Sequence, residues 1–295
     1  QVLSLLALAC LLGTVFYFAS TEGASLRAKS AVSNMKEFSL FNEWIAEHGK
    51  AYENEGELMM RFGVWYATHH RIEAVNNAKL NFTFGHNQFS DMTKQEIYDQ
   101  VLTPNMEQYA STDYELAVFD DNVENPTSKD WKKEGKVTKV VNQGGCGSCW
   151  AFAGIASVES NYAIKSGRLV KLSEQQIIDC TDRDCAGGWY SSVFYYLIRN
   201  GACTDREYPY IGKPHKSGGV KQCSRCSGVT NTRSYRRVPA GDGNVESAVA
   251  NNGVLSVAID VYPMMSYSGG IFDAACSTNI NHGVTVTGYG VAGAK

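Results

Sequence analysis

The sequence predicts a protein of the α+β class, and three observations carry that expectation. Apolar residues recur three and four apart between Glu37 and Gln100, recur at helical spacing again from Cys149 to Gly167, and alternate from His282 onward as they do in a strand. With 295 residues, 44% of them apolar, the chain can bury a real core.

The first stretch, Val2 to Phe18, is almost wholly apolar and runs into small residues at Ala19 and Ser20, the pattern of a secretory h-region and its cleavage site. A run of about 17 residues is short for crossing a bilayer, so a removable signal over residues 1–20 is expected rather than stable membrane insertion. No Met or basic segment precedes it, and the sequence is expected to start inside its own signal.

Secretion would let cysteines pair. Of nine cysteines, Cys10 falls in the signal stretch and the other eight all follow residue 145. Charge divides the chain nearby. Up to Glu124 there are 8 Lys+Arg against 17 Asp+Glu, a net of −9; from Asn125 there are 19 against 13, a net of +6, which together give the −3 of the whole. An acidic leader over residues 21–124 and a basic body over 125–295 are expected to attract each other.

Within the leader, Phe38, Phe41, Trp44 and Ile45, then Leu58, Phe62, Trp65 and Tyr66, predict two helices. Glu57, Arg61, Trp65, Thr68, Ile72 and Asn76 recur at helical spacing in the second, where Glu57 and Arg61 can pair at i,i+4. Phe82 and Phe84 alternate as in a short strand, and Gly85, Asn87, Phe89 and Asp91 follow as Gly-x-Asn-x-Phe-x-Asp. Thr103 to Glu124 is acidic and loosely patterned, and Asn81-Phe-Thr83 is an N-glycosylation sequon.

The body opens with the block QGGCGSCWAF from Gln143. Its cysteines, Cys146 and Cys149, are either a redox or metal pair or two residues with separate work. Trp150, Phe152, Ile155, Val158, Tyr162 and Ile164 predict a buried helix that starts at Cys149 and ends at Ser166-Gly167. A thiol at a helix N-terminus meets unpaired N–H groups and the positive end of the dipole, which favour the thiolate. Such a nucleophile needs a base and a donor for the developing oxyanion. After residue 124 only His215, in the polar loop KPHKSGG, and His282, at the head of a strand in NINHGVTVTGYG, can serve as base; His282 is the favoured candidate. Gln143, six residues before Cys149, is the candidate donor.

These residues resemble those of the papain-like cysteine proteases, cathepsin L-like subgroup, over nearly the whole chain after the signal. The Cys149 block resembles that family's nucleophile motif. The Glu57-to-Asn76 set resembles the Glu-Arg-Phe-Asn-Ile-Asn motif of its propeptides, with Trp65 and Thr68 departing from it. The Gly85-to-Asp91 set matches the companion Gly-Asn-Phe-Asp motif. The resemblance implies a papain-like two-lobe fold, a helical lobe plus a β-barrel-like lobe, preceded by a helical inhibitory prodomain whose tail crosses the cleft. It implies Cys149 as nucleophile, His282 as general base and Gln143 as oxyanion donor. It also implies peptide contacts at Gly187 and Gly188 and at Trp189, Tyr190, Ala258, Ile280, Asn281 and Gly283, with an apolar or aromatic P2 side chain preferred. Pairing by resemblance joins Cys146 to Cys185, Cys180 to Cys223 or Cys226, and Cys203 to the one left over, leaving Cys149 free and Cys276 without a partner.

The sequence ends after Gly288-Tyr289-Gly290, where the family continues into an Asn-Ser-Trp strand whose Asn orients the histidine; a C-terminally truncated chain of reduced stability and activity is therefore expected. The expected partners are protein and peptide substrates and the chain's own prodomain, in a monomer of the secretory pathway, lysosomal or extracellular, activated by acid. No cofactor, metal or nucleic acid is expected: the basic body has no aromatic-interleaved Lys/Arg run, and its cysteines suit disulfides better than zinc. The cathepsin B-type paired histidines are missing after residue 124. A competing class is a binding protein, either a prodomain-type inhibitor or a catalytically impaired relative.

Overall fold

In chain order the elements are helices α1 (Lys36–His48) and α2 (Glu55–Asn77), strand β1 (Phe82–Phe84), helix α3 (Lys94–Gln100), a 3-10 turn (Met106–Tyr109), and strands β2 (Glu115–Leu116) and β3 (Lys129–Asp130). There follow α4 (Cys149–Ser166), α5 (Glu174–Cys180), α6 (Tyr190–Asn200), β4 (Lys216–Ser217), β5 (Val220–Lys221) and β6 (Arg236–Arg237). The last are α7 (Asp242–Asn252), β7 (Leu255–Ile259), a 3-10 turn (Tyr262–Met264), β8 (Tyr267–Gly270), β9 (His282–Val286) and β10 (Gly288–Tyr289). This computed structural model describes Val32 and residues 35–119, 124–217, 220–224, 226, 228, 229 and 232–291; the expected signal, residues 1–20, lies outside them.

The chain divides into two compact units. One holds the residues up to Thr93 with Ser266–Asp273, the other Lys94–Met265 with the residues from Ala274 on. The tail after Thr93 therefore belongs with the basic body rather than with the helices that precede it.

In the first unit, α1 ends where Gly49 takes a left-handed conformation and its N–H returns to Ala46. Asn54 caps α2 by accepting from the Glu57 N–H at 3.0 Å, while the Glu57 carboxylate takes the Glu53 N–H at 2.8 Å. Phe41 and Trp44 of α1 bury against Phe62 and Trp65 of α2. The two sequence motifs meet at Asp91, which is 3% exposed. Its carboxylate takes Lys50 Nζ at 2.8 Å and the Tyr52 hydroxyl at 2.9 Å, and its carbonyl takes Arg61 Nη1 at 3.2 Å. A charge so deep is tolerable only with such partners. Arg61 also lies 3.7 Å from Glu57. Asn76 clamps β1 by donating to the Phe84 carbonyl at 2.9 Å and accepting its N–H at 2.8 Å. Ile72 packs beneath Phe82 and Phe84, and β1 pairs antiparallel with β8.

His86, between Gly85 and Asn87 of the second motif, stacks on Trp65 with ring centroids 4.4 Å apart. Its Nε2 meets His69 Nδ1 at 3.0 Å, and its Nδ1 is buried without a hydrogen bond among the described residues. His69 and His70 lie beside Glu73 on the same helix. Burial, then the neighbouring His69 and His48, brings His86 down to about 4.

The second unit is organised on α4, whose Trp150, Ala151, Ile155 and Val158 are buried. A helix apolar around most of its girth must be enclosed, and α5, α6, β7 and β9 enclose it. Gly167 ends it with φ 75°. Each described sheet is a two-stranded ladder; β7 pairs antiparallel with β9, and β3 with β10. Disulfides join Cys146 to Cys185, Cys180 to Cys223 and Cys203 to Cys226.

His86 makes the first unit sensitive to acid. An unfolded histidine titrates near 6.5, so between that value and about 4 the unfolded chain takes a proton that the folded one refuses, and stability falls as pH falls. In a Cys149→Ala chain, which cannot process itself, acidification from pH 7 to 4.5 should cost this unit on the order of 1–2 kcal/mol through His86 after allowing for its partial exposure. His86→Phe keeps the stack and should lose that part of the pH dependence in urea melts; equal acid losses in both chains would remove the half-buried imidazole as the cause.

Candidate active site

Cys149 is the first residue of α4 and is 1% exposed. The helix terminus alone would favour its thiolate. Here burial outweighs that and pushes the thiol up, against the N–H of Gly283, the Thr103 hydroxyl and the N–H groups of Trp150 and Cys149 itself. Thr103 Oγ1 stands 3.8 Å from Sγ. His282 opens β9, and Gly283 beside it faces Cys149. Burial brings His282 down to about 4, and its Nδ1 makes no hydrogen bond among the described residues. Both shifts favour a neutral thiol and a neutral imidazole.

The cover is the tail. Gln143 Nε2 donates to the Val101 carbonyl at 3.0 Å and to the Cys146 carbonyl at 2.9 Å. The Thr103 N–H bonds the Asn281 carbonyl at 2.9 Å, and the Met106 N–H the Ile280 carbonyl at 3.3 Å. Gly187, with φ +116°, lies so near Thr103 that a Cβ there would sit 2.4 Å from Thr103 Cγ2. Met106 is fully buried in the cluster of Cys149 and Trp150, against which Trp189, Tyr190, Ala258 and Ile280 pack; a Cβ on Gly283 would lie 3.2 Å from its Cε. Farther on, the Arg183 guanidinium covers the Tyr109 ring, and β2 pairs in parallel with β6, where Arg236 meets Glu115 at 3.3 Å.

Of the residues that the sequence singled out, Gln143, Cys149, Gly187, Ile280, Asn281 and Gly283 stand against the tail, whereas Trp189, Tyr190 and Ala258 pack on the buried cluster that holds Met106. Gly188 is placed beside them by the Trp150 ring, 2.7 Å from where its Cβ would be. His215 is elsewhere, with Nδ1 2.6 Å from the Asp179 carboxylate. Cys276 is an exposed free thiol. Asn81 and the leader motifs belong to the first unit, where Asn81 is exposed and donates to Asp273 at 2.6 Å. Thr103 and Met106 carry no signal in the sequence beyond lying in the acidic tail, since neither periodicity nor motif marks them. Among the described residues no group of three or more His, Cys, Asp or Glu could hold a metal, and no helix is long and apolar enough to cross a membrane.

A thiol opens a buried helix, an imidazole opens a strand packed against that helix, and a peptide segment covers the thiol. Residues 125–295 match the papain family cysteine proteases and residues 41–97 the cathepsin propeptide inhibitor domain. The chain belongs to the papain family: it is a cysteine endopeptidase with its propeptide in place, a zymogen of papain-like α+β fold. It is 35% identical to caricain of Carica papaya over 263 residues, covering 87% of this chain and 74% of caricain. It is also 35% identical to a cathepsin L-like proteinase of Phaedon cochleariae, over 85% of this chain and 80% of that one. Among solved structures, the recombinant stem bromelain precursor superposes with a TM-score of 0.77 at 36% identity, over 88% of this chain and 84% of that one. Digestive procathepsin L 3 of the Tenebrio molitor larval midgut gives 0.73 at 28%, over 88% and 86%.

Gly187 offers a direct handle on the cover. Gly187→Ala puts a methyl group into Thr103 at a backbone angle that L side chains avoid. Alkylation of Cys149 by iodoacetamide in the uncleaved chain should rise severalfold, and an unchanged rate would mean that the tail yields without leaving the thiol.

Proposed function

We propose that Cys149 is the nucleophile, His282 its general base and acid, and Gln143 the oxyanion donor, in an endopeptidase that prefers an apolar or aromatic P2 residue. The observation that carries the reading is the tail itself: a peptide whose carbonyl accepts from Gln143 and whose Thr103 touches the Cys149 thiol, with Met106 buried in the cluster against which Trp189, Tyr190 and Ala258 pack. In acylation His282 takes the Cys149 thiol proton, Sγ bonds to the peptide carbonyl carbon, the C–N bond breaks, and the resulting imidazolium gives that proton to the leaving amine. Water, with His282 as base, then hydrolyses the thioester and restores the thiol. The Gln143 amide and the Cys149 N–H are aimed at the charge that develops on oxygen.

The domains in this reading are a signal over residues 1–20, an inhibitory prodomain over 21–124 and a catalytic domain from Asn125. Release of the tail by acid is supported by its composition, six acidic and no basic residues from Val101 to Glu124. Carboxylates begin to protonate near pH 4–5, but the Glu115–Arg236 pair is exposed and contributes little by itself. The half-buried His86 is a separate acid-sensitive element, in the first unit. Three disulfides support a secretory route, lysosomal or extracellular, and Asn81 is a glycan site exposed enough for modification. The enzyme acts as a monomer on protein and peptide substrates.

Acid treatment of the full chain, labelling with an epoxide that traps active-site thiolates and mass spectrometry should place one label on Cys149, with the leader lost near residue 124. Cys149→Ala should remain unlabelled and uncleaved; label elsewhere would refute the assignment. Met106→Ala removes a buried side chain worth about 2 kcal/mol, so the released prodomain should inhibit the mature enzyme roughly 30-fold less tightly. Retention of full inhibition would show that the Met106 pocket does not select the side chain.

A further inference from the structure

Asp260 has no place in the chemistry above, yet it directly follows β7, the strand that pairs with the strand of His282. Ile259 ends β7 opposite His282, and just beyond this pair two side chains cross between the strands. Asn281 is 1% exposed. Its N–H bonds the Ile259 carbonyl at 3.1 Å, its Oδ1 accepts the Val261 N–H at 3.0 Å, and its Nδ2 donates to Asp260 Oδ1 at 2.7 Å and to the Asn279 carbonyl at 3.0 Å. Asp260 is itself anchored: Oδ1 accepts the Tyr262 N–H at 3.1 Å, and Oδ2 accepts the Ser277 hydroxyl at 2.7 Å. Burial alone would raise its carboxyl, but Ser277, Asn281, the Tyr262 N–H and the charge of Lys94 together hold it below the usual range, so it stays ionised.

The knot therefore fixes Asn281 from both ends. The carbonyls of Ile280 and Asn281 that bind the tail backbone are part of the same segment, and the His282 ring is the next side chain along it.

We propose that Asp260 is a positioning residue: by holding Asn281 it sets the orientation of His282 and of the two main-chain carbonyls that receive the peptide. Its role is geometric. Burial is the cause of the lowered His282 value. Asparagine can keep the Oδ1 contacts to Asn281 and Tyr262, while the exposed Ser277 hydroxyl turns from donor to acceptor. Alanine keeps none of them.

The proposal rests on His282 being the base, and the test separates the two. Each full chain is activated, its working sites are titrated with the epoxide, and kcat, KM and the pH profile are measured per titrated site. His282→Ala is the control; activity retained there would overturn the base assignment itself. With that control inactive, Asp260→Ala should lower kcat/KM by about 10- to 100-fold, as misplaced catalytic groups do, with most of the loss in kcat. Asp260→Asn should recover most of that loss with the acid limb of the profile unmoved. Ser277→Ala, which leaves Asn281 its partner, should fall between wild type and Asp260→Ala and guards against a simple failure to fold. Unchanged kcat per titrated site in Asp260→Ala, or an Asp260→Asn chain as slow as Asp260→Ala, would overturn the positioning role.

Discussion

The candidate site depends on a line of backbone hydrogen bonds. The Val101 carbonyl and the N–H groups of Thr103 and Met106 meet Gln143, Asn281 and Ile280, groups that bond any peptide whatever its sequence. Each such bond contributes about 1 kcal/mol net, whereas burying Met106 contributes about 2. The backbone therefore sets the path of the chain, and a single side chain supplies much of the selectivity. The Gly187 turn, pinned through Cys185 to the loop before α4, has to pass without a side chain because the peptide runs directly over it.

Electrostatics at the thiol come from two sources that oppose each other. The start of α4 and the Gly283 N–H favour sulfur as an anion, and enclosure disfavours it more strongly. Enclosure is supplied in part by the segment around Thr103 and Met106, which the proposed maturation near residue 124 would remove while leaving the helix terminus and strand β9. On the proposed roles of Cys149 and His282, one arrangement of protein atoms would hold a neutral pair while covered and an ionised one with water restored.

Much of this was legible in the sequence because it is local. Helix α4 follows from its apolar spacing and the glycine after Ser166, and Gln143 and Cys149 lie within one short block. The Glu57, Arg61 and Asp91 contacts reflect residues whose motif spacing is readable, although only folding brings Asp91 under Arg61. The rest is tertiary. Thr103 reaches Cys149 across 46 residues, and β2 finds β6 as a two-residue ladder too short for any period to announce. Asp260 looks like an ordinary strand-end acid until Asn281 closes on it. The expectation of an activated thiolate departs from the covered site because helix position is written in the sequence and burial by a distant segment is not.

Met106 belongs to the same buried cluster as Cys149, Trp150, Ile155 and Leu172. If maturation removes Met106, as the proposed boundary near residue 124 requires, the processed enzyme gives up a piece of its own core, and its persistence would then become a matter of rate, set by the barrier to opening. The three disulfides all lie after residue 145, where they limit how far an opened chain can stray before it closes again.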